Sequence, residues 1–108
     1  MQYSIFYYSR DVQDQILELP ETLQARFVSL TARMIEYGPN LGLPHTDSLG
    51  DGLFELRLKG SEGIARVLYC MTIGKKIFVL HSFIKKSQKT PLKELRLARL
   101  RMKEVKEW

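Results

Sequence analysis

Six cations stand in and just after three short apolar segments: Arg57 and Lys59 in LFELRLKG, Arg66 in GIARVLYCM, and Lys85, Lys86 and Lys89 after IFVLHSFI. None of them is at a position that a packed sheet requires. Strand alternation sets Glu55, Arg57 and Lys59 on one face and Phe54, Leu56 and Leu58 on the other. Guanidinium and ammonium groups gathered along one sheet surface suit a partner rich in phosphate. A planar guanidinium such as Arg66 can hold a phosphate bidentately and stabilise charge that develops on it. The plainer reading of the same residues is a set of ion pairs, Arg66 with Glu55 or Glu62 and Arg57 across the strands.

The remaining titratable groups are less informative. Glu55 shares the face of Arg57 and serves either as a general base, if its environment raises its pKa, or as the carboxylate that orients Arg57 and Arg66. His81 lies inside an apolar strand, where a structural histidine competes with a catalytic acid. His45 sits in a turn-rich stretch and reaches a substrate only if that stretch folds back. Cys70, the only cysteine, is expected to be a small buried residue, which leaves no disulfide framework. No His, Cys, Asp or Glu cluster has metal-ligand spacing, so neither a metal nor a cofactor is expected.

Charge is unevenly distributed over the 108 residues. Residues 1–52 carry three Lys or Arg against seven Asp or Glu, residues 53–84 five against two, and residues 85–108 nine against three. A basic C-terminal end and an acidic N-terminal half suggest an interaction surface. The length suits one small domain, 1–108, with a single core. The absence of a secretory leader pattern and of an apolar run near the roughly twenty residues of a membrane span points to a cytoplasmic protein.

The elements that must position the cations follow from periodicity and punctuation. QYSIFYY reads as a first strand. Ser9 can cap a short helix with Val12, Ile16 and Leu19 as its buried stripe, and Pro20 ends it and opens the next. Leu23, Phe27, Leu30 and Met34 recur at helical spacing until Gly38-Pro39. Residues 40–52 read as a loop. Three strands follow, joined by turns at Gly60–Gly63 and Gly74-Lys75. Thr90-Pro91 is an N-cap and first-turn pair for a last helix. Its apolar stripe is Leu95, Ala98, Met102 and Val105, and its basic stripe is Arg96, Arg99, Lys103 and Lys106. The expected fold is α+β in the order β-α-α-β-β-β-α: a small, mostly antiparallel sheet, two N-terminal helices on one face, and a C-terminal helix.

The string FELRLKGSEGIARVLYCM…FVLHSFIKKSQKTPLKELRLARLR resembles the RelE/HigB superfamily of toxins from bacterial toxin–antitoxin modules, in particular its HigB-like, phage-derived branch. The resemblance rests on an E-L-R strand, an R-x-x-Y strand, an F-x-K-K segment and a T-P helix start followed by spaced Ala and Arg. It implies a RelE-like fold and a ribosome-dependent mRNA endonuclease that cuts the A-site codon without metal, by attack of a ribose 2′-hydroxyl on the adjacent phosphate. It also implies a neutralising partner, a small HigA-like helix-turn-helix antitoxin; exposed parts of the N-terminal helices are the expected apolar anchors for it, because that half of the chain is acidic and unsuited to entering the ribosome.

Carried over residue by residue, the resemblance gives Arg66, Arg57, Lys85 and Glu55 as catalytic candidates. Lys59, Tyr69, Lys86, Lys89, Arg96, Arg99 and Lys103 are the RNA-binding candidates. Lys85 and Lys86 are adjacent on a strand, so one of them is expected to reach the reacting phosphate and the other the RNA backbone. Tyr69 either stacks on a base or fills the core. One departure concerns the base: the RelE branch has lysines where this chain has Glu55 and Arg57. Two other functions fit parts of the pattern, a ParE-like toxin that acts on gyrase and an RNA-binding module without catalysis.

Overall fold

The computed structural model describes residues 2–86 and 88–108. Strand β1 (Ser4–Tyr7) leads into helices α1 (Arg10–Leu17) and α2 (Glu21–Tyr37). Strands β2 (Thr46–Gly50), β3 (Leu53–Gly60), β4 (Gly63–Thr72) and β5 (Lys76–Ile84) follow, and helix α3 (Leu92–Val105) comes last. The sheet order is β1-β5-β4-β3-β2, with β1 parallel to β5 and every other pair antiparallel. The α+β architecture expected from the sequence is therefore present, with one strand more than the sequence suggested.

Helix α1 begins where Ser9 accepts a hydrogen bond from the Val12 amide. Helix α2 has no side-chain cap of its own. Glu62, in the β3–β4 turn, accepts from the Thr22 amide at 2.8 Å and sets a carboxylate against the positive end of that helix. This occupies Glu62, so Arg66 pairs elsewhere. Gly60 allows the close approach, because a Cβ there would lie 2.6 Å from the Thr22 hydroxyl oxygen and 2.9 Å from its Cβ. The chain leaves α2 through Gly38 at φ +101°, as its position before Pro39 suggested.

The stripes of α1 and α2 pack on one face of the sheet. Val12, Ile16, Leu23, Phe27, Leu30 and Met34 meet Leu56, Leu58, Ala65, Val67, Tyr69, Ile77 and Val79. On the opposite face Ala98, Met102 and Val105 of α3 meet Leu53, Leu68, Cys70, Phe78 and Leu80. Helix α3 thus covers one end of its face. The other end carries the alternate residues of β3 and β4, among them Arg57 and Arg66.

Strand β2 corrects the expectation of a loop over residues 40–52. TDSLG has no apolar alternation, so nothing local marks it as a strand. It pairs because β3 would otherwise present an open edge: Thr46 sits opposite Leu56 and Asp47 opposite Glu55. The Thr46 hydroxyl accepts from the Gly42 amide at 2.8 Å and closes the approach to the strand. No helix is long and apolar enough to cross a membrane among the described residues.

Candidate functional site

Cross-strand register assembles the site. Arg57 lies opposite Arg66, and Arg66 opposite Phe83, so the two arginines are nearest neighbours on the face that α3 shares. Like charges in that position repel. Glu55 relieves the repulsion from one row away: its Oε2 lies 3.0 Å from Arg57 Nε and its Oε1 3.7 Å from Arg66 Nε. The Thr90 hydroxyl donates to the same Oε1 at 3.2 Å, and Asp47 adds a weaker contact to Arg57 at 3.4 Å. Thr90 therefore does not cap α3, whose N-cap is Pro91 without a side-chain bond. Its hydroxyl ties the segment before α3 to the buried carboxylate.

Glu55 is 3% exposed and does not line the adjoining cavity. Both its oxygens are engaged by cations or a hydroxyl, so the general-base reading is not what the geometry favours. It orients Arg57 and Arg66 instead. Arg66 is 9% exposed, and its Nε has no hydrogen-bond partner among the described residues. Burial lowers its pKa, Arg57 lowers it further and Glu55 raises it, yet a guanidinium remains charged at any working pH.

A groove of about 600 Å³ opens over this pair, lined by Arg57, Ile64, Arg66, Lys85, Lys86 and Gln88. Among the described residues, four cations and no carboxylate line it. Strand β5 ends at Ile84, so strand alternation no longer separates Lys85 from Lys86 and both line the groove, against the expectation that one would be turned away. Lys85 Nζ donates to the Gln88 carbonyl at 2.6 Å. Its pKa is lowered by burial and then by Arg66 and Arg57, with Glu55 opposing. One buried carboxylate faces Arg57, Arg66 and Lys85, an arrangement that a bound phosphate would complete.

Other candidates lie elsewhere. Tyr69 is 1% exposed on the α1/α2 face, stacked 5.6 Å from Phe54, and its hydroxyl donates to the Pro39 carbonyl. Burial raises its pKa. It is a core residue and cannot stack on a base. Arg99 donates to the carbonyls of Leu49, at 2.8 Å, and Gly50, at 3.3 Å, and so pins α3 to the end of β2, away from the groove. Arg96 and Lys103 are exposed on α3, and Lys89 is exposed before it; none of the three lines the groove. Lys59 lines a second lobe of the groove with His45 and Arg26. His81 pairs with Glu94 of α3, Nε2 to Oε1 at 3.1 Å. It follows an irregularity in the β4–β5 register that keeps Leu80 and His81 both towards α3. Cys70 is buried, and its pKa is raised to about 11.

Sequence reasoning missed Arg26, Asp47, Ile64 and the anchoring role of Thr90. Arg26 is on a helix whose visible signal is its apolar stripe, and Asp47 is on a strand without a pattern. Ile64 reads as an ordinary strand residue.

This architecture, a mixed five-stranded sheet with two helices on one face and a third on the other, matches the fold of a solved RelE toxin. A solved structure titled as the free state of an E. coli toxin RelE carrying two arginine-to-alanine changes superposes with a TM-score of 0.65 over 97% of this chain and 99% of that one, at 12% identity. At that identity the likeness concerns the fold. The family model described as phage derived protein Gp49-like matches residues 14–103. The chain belongs to that Gp49-like family. No curated protein matches it by sequence.

Proposed function

We propose that this chain is the toxin of a toxin–antitoxin module and acts as a ribosome-dependent mRNA endonuclease in the cytoplasm. The observation that carries the reading is the groove over the Arg57–Arg66 pair, which holds four cations, no carboxylate, and one buried glutamate behind them. In the proposed reaction the 2′-oxygen of one nucleotide attacks the adjacent phosphorus and the bond to the 5′-oxygen of the next nucleotide breaks. The 2′-proton passes to solvent water and the departing 5′-oxygen takes one from the protein, which leaves a 2′,3′-cyclic phosphate and a 5′-hydroxyl. Arg66 and Arg57 stabilise the charge that grows on the non-bridging oxygens. Lys85, held below the ordinary lysine pKa and next to the arginines, is the group best placed to give a proton to the leaving oxygen. Lys86 holds the flanking backbone.

A helix-turn-helix antitoxin of the HigA type is the proposed partner. Leu17, Val28 and Tyr37 stand exposed on α1 and α2 and supply apolar anchors for it.

The test is a translation reaction with purified ribosomes and one defined message, run beside a gyrase supercoiling assay. Cleavage at discrete codons only when ribosomes are present is the expected result. Intact message with blocked supercoiling would assign the chain to the ParE type, and RNA binding without cleavage would make it a binding module.

A further inference from the structure

The groove does not end at the Arg57–Arg66 pair. A second lobe of about 470 Å³ shares Arg57, Ile64 and Arg66 with the first and adds Arg26, Pro44, His45 and Lys59. Its origin lies in the register of the sheet edge. The first paired residue of β2 is Thr46, opposite Leu56, and the His45 carbonyl accepts the Arg57 amide at 2.8 Å. Beyond that bond the edge of β3 towards Gly60 has no strand beside it. Arg26 of α2, the helix packed beneath, reaches past this open edge, while Lys59 comes from the sheet face above.

The lobe has the two components that a nucleotide needs. Arg26 and Lys59 are exposed cations, with Arg57 and Arg66 at the junction, and no carboxylate lines it. His45, Pro44 and Ile64 supply a ring and two apolar surfaces of the kind on which single-stranded bases stack. Its volume falls in the range of ordinary ligand sites. A purely electrostatic patch would require only the cations.

We propose that this lobe is a nucleotide subsite, in which Arg26 and Lys59 hold the phosphate next to the scissile one and His45, Pro44 and Ile64 receive the base. The inference rests on the reading of the chain as an RNA-cutting protein and extends it: the strand is gripped on one side of the cut by a site that α2 helps to build. His45 and Arg26 are here positioning and specificity residues, distant from the bonds that change.

Binding of 2′-O-methyl oligoribonucleotides, which cannot be cut by 2′-hydroxyl attack, tests this by fluorescence anisotropy over lengths of about two to six nucleotides. The wild-type protein is expected to gain about tenfold in affinity when one nucleotide is added at one particular end, the size of a stacked base. The Arg26→Gln/His45→Ala protein should lose that increment and bind the shorter oligomers normally. Its salt dependence for the longer oligomer should fall by about 0.7 per phosphate contact removed. The single His45→Phe protein, which keeps a ring, should retain the increment, whereas His45→Ala should not. A tenfold step that survives in the double variant, an equal loss at every length, or no step at any length overturns the subsite. Cleavage of message on ribosomes, measured on the same proteins, keeps the two readings separate. A length step without any cleavage defeats the endonuclease and leaves the subsite standing; cleavage without the step defeats the subsite alone.

Discussion

The two faces of one sheet have been put to opposite uses. On the α1/α2 face every alternate residue from Leu56 to Val79 that points inward is apolar, and the helices cover them along the strands. On the α3 face the fully buried apolar residues stop at Leu53, Leu68 and Leu80, and the same strands continue with Glu55, Arg57 and Arg66 beside the part-exposed Ile64 and Phe83. The first face buries hydrocarbon and makes the fold stable. The second leaves part of the sheet uncovered and fills it with charges that repel one another. Such a surface gains nothing for folding, and its rationale is what it binds. The shared backbone matters: the register that packs Leu56 against α2 also fixes Arg57 opposite Arg66, so the stable face sets the geometry of the charged one.

That division makes predictions of graded size. The largest concerns the covered face. Leu23 is 0% exposed beneath β3, and Leu23→Ala should cost about 2–5 kcal/mol of stability, read as a lower urea midpoint at unchanged slope. The fraction that remains folded should still bind RNA normally. A selective loss of RNA binding with stability intact would break the division.

The next concerns the uncovered face. Arg66→Ala should slow ribosome-dependent cleavage by about a hundred- to a thousandfold, or about 2.7–4 kcal/mol of barrier. The fold should survive, because the buried Glu55 keeps Arg57 and the Thr90 hydroxyl as partners when Arg66 is removed. Near wild-type cleavage by the folded variant would falsify the role given to Arg66.

The smallest effect is a pH dependence. The Lys85 ammonium is held below the ordinary value of 10.5, chiefly by burial. Only its protonated form attracts phosphate, so affinity for a 2′-O-methyl oligoribonucleotide should decline as pH rises towards 10.5, earlier than an ordinary lysine allows. Lys85→Arg should move that decline to higher pH. Folding has the opposite sign: the unfolded chain holds this proton more tightly, so the contribution to stability rises with pH over the same window. A pH profile of binding identical in wild type and Lys85→Arg would place the titrating group elsewhere.

Much of this is legible in the sequence alone. The stripe Leu23, Phe27, Leu30, Met34 announced α2, and the alternation around Arg57 announced β3, because both are local patterns with a fixed period. The cations Arg57, Arg66, Lys85 and Lys86 could be picked out for the same reason, as charges interrupting apolar strands. Tyr69 shows the limit: it has the same alternation as its neighbours, and only the pairing of β4 with α2 above it decides that its ring is core.

The sequence by itself determined the helices, three of the four C-terminal strands, the uneven charge and the identity of the cations over the groove. Tertiary structure alone decided the rest. Strand β2 forms because β3 has an open edge to satisfy, which no pattern in TDSLG records. Lys86 joins the groove because β5 ends at Ile84. Arg99 is consumed by the carbonyls of Leu49 and Gly50, fifty and forty-nine residues away in sequence, whereas Arg96, three residues earlier, stays in solvent. Arg26 and His45 line one cavity at the edge of β3 because α2 packs beneath it. Periodicity tells which face a residue points to, but whether that face meets a helix, a strand edge or water depends on elements far along the chain, and that is settled only when they pack.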